Sequence, residues 1–184
     1  MKKILISILL TILTIPTFAQ KYEISFQYSQ LSIPQTIYVV GGAMGVVFTL
    51  GHFSFTNTVA TGALALEYIE QTDVDWLKVG LLTCGEYMTS DTIDQDGNTT
   101  GKYNMGVISL MGTAHFKWFT RDKFRMYSKI GVGASTFITD EATAIPAFQV
   151  SPICIDFGTS SLRGLVEIGV GMQGLITGGI KKVF

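Results

Sequence analysis

The chain has 184 residues, 13 of them basic and 14 acidic, for a formal net charge of −1. Hydrophobic residues make up 47% and charged residues 15%, the latter well below the quarter usual in globular domains. The near-neutral balance argues against a nucleic-acid partner, and two cysteines are too few for a disulfide scaffold.

Lys2 and Lys3 precede an apolar run from Ile4 to Ile15, and Pro16-Thr-Phe-Ala19 offers a small-residue cleavage site. Residues 1–19 therefore read as a secretory signal peptide. The run is shorter than the roughly 20 residues a spanning helix needs. Cleavage after Ala19 leaves residues 20–184 as a single domain with net charge −3, since Lys2 and Lys3 are removed. All 20 glycines lie in that domain. Glycine weakens flat strands and is placed where backbones approach closely or a sheet bends sharply, so this excess suggests a strongly curved sheet.

Eight strands are predicted in chain order. The first, Tyr22–Ser29, alternates Ile24, Phe26 and Tyr28 with Glu23, Ser25 and Gln27. Leu31–Gly51 breaks the alternation and reads as a long loop with a short helical or folded-back piece. The second strand, Ser54–Tyr68, sets Gly62, Leu64, Leu66 and Tyr68 against Thr61, Ala63, Ala65 and Glu67. A polar turn at Glu70–Asp75 leads to the third, Trp76–Met88, whose polar face carries Lys78, Cys84 and Glu86. Ser90–Gly101 is a hydrophilic loop with an Asp-Gly turn signal. It lacks the twelfth-position Glu and the flanking helices of a calcium loop, so no metal site is expected.

The fourth strand spans Tyr103–Trp118, and Thr120–Lys123 turns the chain. The fifth, Phe124–Ala134, has the clearest period of two, with Arg125, Tyr127, Lys129, Gly131 and Gly133 on one face. Phe137–Ile145 reads as a loop and Ala147–Phe157 as the sixth strand, followed by a turn at Gly158–Ser161. The seventh, Leu162–Gly171, places Arg163 and Glu167 on one face. A connection through Met172 and Gln173 reaches the last strand, which ends on Phe184. Cys84 and Cys154 fall on strands that are not neighbours and are expected as buried, unpaired small hydrophobes.

Apolar alternation, glycine excess and a terminal aromatic strand point to an all-β fold, a closed antiparallel up-and-down transmembrane β-barrel of eight strands. A secreted β-sandwich or a small soluble barrel would show similar alternation. On the barrel register Glu67, Lys78, Glu86, Arg125, Lys129, Arg163 and Glu167 point inward as a polar network, because charges in a narrow lumen must be paired or hydrated. Lys129 can approach Glu167 across that interior. Trp76, Tyr87 and Trp118 would ring the outside near the two interfaces. Eight strands leave room only for side chains, so a diffusion pore is not expected. Short connections at Glu70–Asp75, Thr120–Lys123 and Gly158–Ser161 would face the periplasm and the longer ones the exterior.

Five segments, Leu64–Tyr68, Tyr127–Gly133, Ala147–Pro152, Gly164–Gly171 and Gly178–Phe184, resemble small outer-membrane β-barrel proteins of Gram-negative bacteria. The resemblance is closest to the uncharacterised barrel family of Bacteroides-type organisms. It implies residence in the outer membrane after signal-peptide cleavage, with outer-membrane lipids, periplasmic chaperones and the barrel insertion machinery as partners. The insertion machinery would read the last strand through Ile176, Ile180 and Phe184; Lys182 stands where an aromatic is usual. The function this implies is a structural or surface-exposed role, and it names no catalytic residue and no cofactor. Two other readings stay open. Exposed loops could serve an adhesin-like binding module, or His115 with Thr113 or Ser109 (His52 being the other histidine) could serve a lipid-modifying enzyme.

Overall fold

A computed structural model describes residues 22–39, 54–93, 98–139 and 141–184. The expected signal peptide, residues 40–51 of the first loop, and His52 lie outside the described residues.

Nine strands are present among the described residues: β1 Tyr22–Gln30, β2 Ser54–Ala60, β3 Ala63–Gln71, β4 Leu77–Ile93, β5 Thr99–Arg121, β6 Phe124–Ile138, β7 Ala142–Gly158, β8 Leu162–Gly171 and β9 Ile176–Val183. All pairings are antiparallel. They run β4-β3-β1-β9-β8-β7-β6-β5, β5 also pairs with β4, and β2 pairs with the far half of β4. The sheet is so curved that side chains from β1 and β3 meet side chains from β6: Glu23 touches Arg125 and Glu67 faces Lys129.

The expected closed, eight-stranded, up-and-down transmembrane barrel is corrected to this nine-stranded antiparallel sheet. The expected second strand is two strands. Gly62 adopts φ 80°, a left-handed conformation that L side chains rarely hold, and it breaks the chain between β2 and β3. The Tyr28 hydroxyl fixes the break by donating to the Thr61 carbonyl at 2.9 Å. β3 then pairs with the first half of β4, Leu64 opposite Gly85, while β2 pairs with the second half, Ala60 opposite Met88.

Two predicted loops are largely strand. Much of Ser90–Gly101 belongs to β4 and β5, where Ser90 pairs with Tyr103 and Thr92 with Gly101. Likewise Phe137 pairs with Thr143 inside the expected loop at Phe137–Ile145. Threonine-rich alternation suits a strand as well as a loop, and the deciding pairings are distant in sequence. At the other end the connections are tight. Gln71 Nε2 donates to the carbonyls of Thr72, Val74 and Leu77, which closes the β3–β4 turn.

Pro152 sits inside β7, where a proline has no N–H to donate. The strand accommodates it with a bulge, its pairing with β8 shifting register between Val150 and Ile153. Ser128 Oγ donates to the Pro152 carbonyl at 2.7 Å across that bulge. Close approach elsewhere requires glycine. A Cβ on Gly133 would lie 1.9 Å from the Leu110 carbonyl oxygen, so β5 and β6 could not keep their spacing.

A short helix, α1 (residues 33–39), follows β1. Its start follows the Ser-x-x-Gln spacing of a capping box, with the return bond one residue early: Ser32 Oγ accepts from the Gln35 N–H at 3.1 Å, and the Gln35 side-chain oxygen accepts from the Leu31 N–H at 2.8 Å. The helix packs over the buried face. Tyr38 joins Met88, Met105 and Val107 in one apolar cluster, and Ile33 leans on a second made of Ala65, Leu82, Cys84, Met111, Ala147 and Met172. Both cysteines are free and buried.

Candidate functional site

The polarity of the sheet is inverted relative to a water-soluble domain. β1 alternates exposed and buried residues from end to end, yet the exposed ones are Tyr22, Ile24, Phe26 and Tyr28 while the buried ones are Glu23, Ser25, Gln27 and Ser29. On β3, β4, β6, β8 and β9 large apolar side chains such as Leu66, Leu81, Val132, Val166 and Ile180 are likewise exposed, while Glu67, Lys78, Lys129, Glu167 and Lys181 are covered, alongside buried apolar residues on β3 and β4. Val132 is 70% exposed, whereas Glu67 and Lys129 are completely covered. Fully buried charges are rare unless paired, so the partners on the covered face define the site.

That face is layered. Nearest the short turns, Glu23 accepts from Lys78 Nζ at 2.5 Å and from Arg125 at 2.8 Å, with Lys181 at 3.6 Å from its other oxygen. Lys181 also meets Asp156 at 3.0 Å and lies over the Tyr127 ring, 4.8 Å from its centroid. One layer further in, Glu67 accepts from Thr113 at 2.9 Å and from Gln27 at 2.9 Å, and its Oε1 lies 2.8 Å from His115 Nε2. Lys129 bridges Glu67 and Glu167, and donates to Gln173 at 2.9 Å. Tyr127 donates to Glu167 at 3.0 Å. Beyond these layers lies the apolar cluster around Met111. At the far end Glu86 accepts from Ser32 at 2.7 Å and from Gln35 at 2.8 Å, which ties α1 to β4. Burial raises the Tyr38 phenol above its ordinary value, and its hydroxyl pairs with Ser90 at 2.6 Å.

The seven residues expected on the polar face separate into two clusters and two residues that stand apart. Glu67, Lys129 and Glu167 sit in one connected cluster, and Lys78 and Arg125 meet each other's partner, Glu23. Glu86 stands apart with α1. Arg163 does not reach Glu167, four residues along its strand; it donates to the carbonyls of Asp122 at 3.2 Å and Thr159 at 2.9 Å, and its Nε has no partner. Glu23, Asp156, Lys181, His115, Tyr127, Gln27 and Gln173 complete the network without having been singled out as members. Glu23 and Gln27 were visible on the polar face of β1. Asp156 was hidden because the Pro152 bulge changes which alternate residues are covered, from Gln149 and Ser151 before it to Cys154 and Asp156 after it.

His115, Thr113 and Glu67 are not set out as an acyl-transfer relay. A nucleophile–base–acid relay uses both ring nitrogens of the histidine. Here Thr113 Oγ1, at 3.3 Å, and Glu67 Oε1, at 2.8 Å, both lie against Nε2. The Thr113 hydroxyl already donates to Glu67, and all three side chains are buried away from any substrate. Ser109 is paired with Ser135 on the neighbouring strand. No group of three or more His, Cys, Asp or Glu side chains that could hold a metal ion occurs among the described residues.

The three residues expected as an assembly signal lie on one face. Ile176, Ile180 and Phe184 are all exposed on the outward side of the last strand. The Phe184 ring stacks on Tyr22 with centroids 4.6 Å apart, and Lys182 places its ammonium 5.7 Å from the same ring.

No family model matches this chain, and no curated protein matches it in sequence. The likeness to small outer-membrane β-barrel proteins is therefore corrected, because these comparisons lend it no support. The structural or surface role inferred from that likeness, and the adhesin and lipid-enzyme alternatives, are withdrawn with it. What stands is an all-β domain built on a nine-stranded antiparallel sheet, with charges on its covered face and apolar side chains outside.

Proposed function

We propose that this protein resides in an outer membrane, with lipid acyl chains covering its outward face. The reading rests on surface chemistry and not on kinship. Soluble monomers rarely expose contiguous apolar patches beyond a few hundred Å², yet here most outward side chains along the sheet are Ile, Leu, Val, Phe or Tyr, each about 40–60% exposed. Aromatic residues stand at both ends of this belt: Tyr22, Tyr68, Trp76, Trp118, Phe157 and Phe184 beside the short turns, Tyr28, Tyr87 and Phe148 at the other end. From Trp76 to Tyr87 the strand rises about 36 Å, or about 28 Å when inclined by about 40°, close to the apolar height of an outer membrane.

On this reading the ionic network is a filling. It fixes the curvature of the sheet and leaves no passage for solutes, and the useful surface is the outward one. Residues 1–19 direct export and are removed. Periplasmic chaperones hold the chain, and the insertion machinery takes up β9 through Ile176, Ile180 and Phe184. Fractionation tests the location. The protein should stay with outer-membrane fragments after alkaline carbonate washing, with a new N-terminus at Gln20. Recovery in the soluble periplasm would refute it.

A further inference from the structure

The layer nearest the short turns is out of electrostatic balance. Lys78, Lys117, Arg125 and Lys181 line a cavity of about 10 Å³ against only two carboxylates, Glu23 and Asp156. Lys117 forms no ion pair among the described residues; its ammonium donates to the Gln71 side-chain oxygen at 2.7 Å. Three ammoniums and a guanidinium carry about 14 N–H donors, while two carboxylates offer about eight acceptor positions. Among the described residues no carboxylate pairs directly with Lys117, and the excess of cations over carboxylates around the cavity makes a further, negatively charged acceptor its favoured occupant. The volume suits one water-sized species, which is too small for phosphate or sulfate. Access comes from the end of the sheet, where the side chains of Arg125 and Lys78 remain 21% and 11% exposed.

We infer that this cavity binds a single halide-sized anion, chloride in physiological solution, held between Lys117, Arg125, Lys78 and Lys181. The ion replaces a third carboxylate. A chloride is slightly larger than water, and the site admits it because three of the four cations stand on flexible lysine stems. The same feature makes it selective by size: larger oxyanions would have to separate Glu23 from its partners. The site does not depend on where the protein resides, since its walls all lie on the covered face.

The test uses the purified full-length domain in a non-ionic detergent. Thermal unfolding is followed in sodium chloride and in sodium gluconate at equal ionic strength, so that general screening cancels. A site that binds only the folded state raises the midpoint by about 3–6 °C for each tenfold increase of chloride above its dissociation constant. Lys117→Met should abolish most of that slope, whereas Lys123→Met, on the exposed turn at the same end, should leave it intact. Crystals grown in sodium bromide should show one anomalous peak between Lys117 Nζ and the Arg125 guanidinium. Identical midpoints in chloride and gluconate, or density for water alone in the bromide crystals, would overturn the inference. The crystal experiment uses the unmodified chain and so decides the matter even where a variant fails to fold.

Discussion

Replacing Leu81 by arginine separates a lipid-covered outward face from a hydrated one. Leu81 is 53% exposed on β4 and lies midway between Trp76 and Tyr87, the aromatic residues that bound the belt on that strand. Its neighbours across the sheet are Tyr68 on β3 and Gly112 on β5, so no acidic group stands directly opposite to receive a guanidinium. Under acyl chains an arginine at mid-depth costs about 2–4 kcal/mol. In water the same substitution at a half-exposed site stays within about 0.5 kcal/mol, because the arginine stem covers the apolar surface that leucine covered. Leu81→Met, a volume-conserving change expected to cost under about 1.5 kcal/mol, controls for packing. Reversible urea unfolding in phosphocholine vesicles, followed by the fluorescence of Trp76 and Trp118, measures both variants. A Leu81→Arg protein as stable as the parent would refute the reasoning.

Lys129→Met leaves Glu67 and Glu167 facing each other without their shared cation, and should cost about 3–5 kcal/mol by the same urea assay; a loss below 1 kcal/mol, about the worth of an exposed pair, would remove the network as a source of stability. Phe184→Ala deletes the stack on Tyr22 and should lower stability by only about 0.5–1.5 kcal/mol, while slowing insertion into vesicles that carry the assembly machinery; equal insertion rates would end the assembly role given to this residue. An epitope placed at Glu141 should be labelled on intact cells and one at Asp122 should not, and the reverse pattern would invert the orientation.

Much of the sheet was legible because β8 alternates throughout and β6 alternates over its middle, from Tyr127 to Val132. On β6 and β8 Lys129, Arg163 and Glu167 lie on the covered face at alternate positions, while Gly133, two residues beyond Gly131, is exposed. Counting in twos fails where the backbone inserts a residue. At Pro152 the bulge reverses the parity of β7, so Asp156 turns toward Lys181 instead of outward. Gly62 kept the period of two intact in sequence while its positive φ divided the strand. The ends of β4 to β7 were read as loops because serine, threonine and aspartate are neutral signals locally, and only pairing with distant residues commits them. Ser32 and Gln35 carried a readable capping-box spacing for α1, but Glu86, which holds the same two side chains, comes from a strand more than fifty residues away.

The proposed contact between acyl chains and the outward face is open to direct measurement. A protein with Trp76→Phe, Trp118→Phe and Leu81→Trp carries one indole, at the middle of the apolar belt. In bilayers brominated deep in the acyl chains its fluorescence should be strongly quenched, and iodide in the surrounding water should have little effect. Efficient quenching by iodide, with none from the brominated chains, would place that face in water and contradict the account.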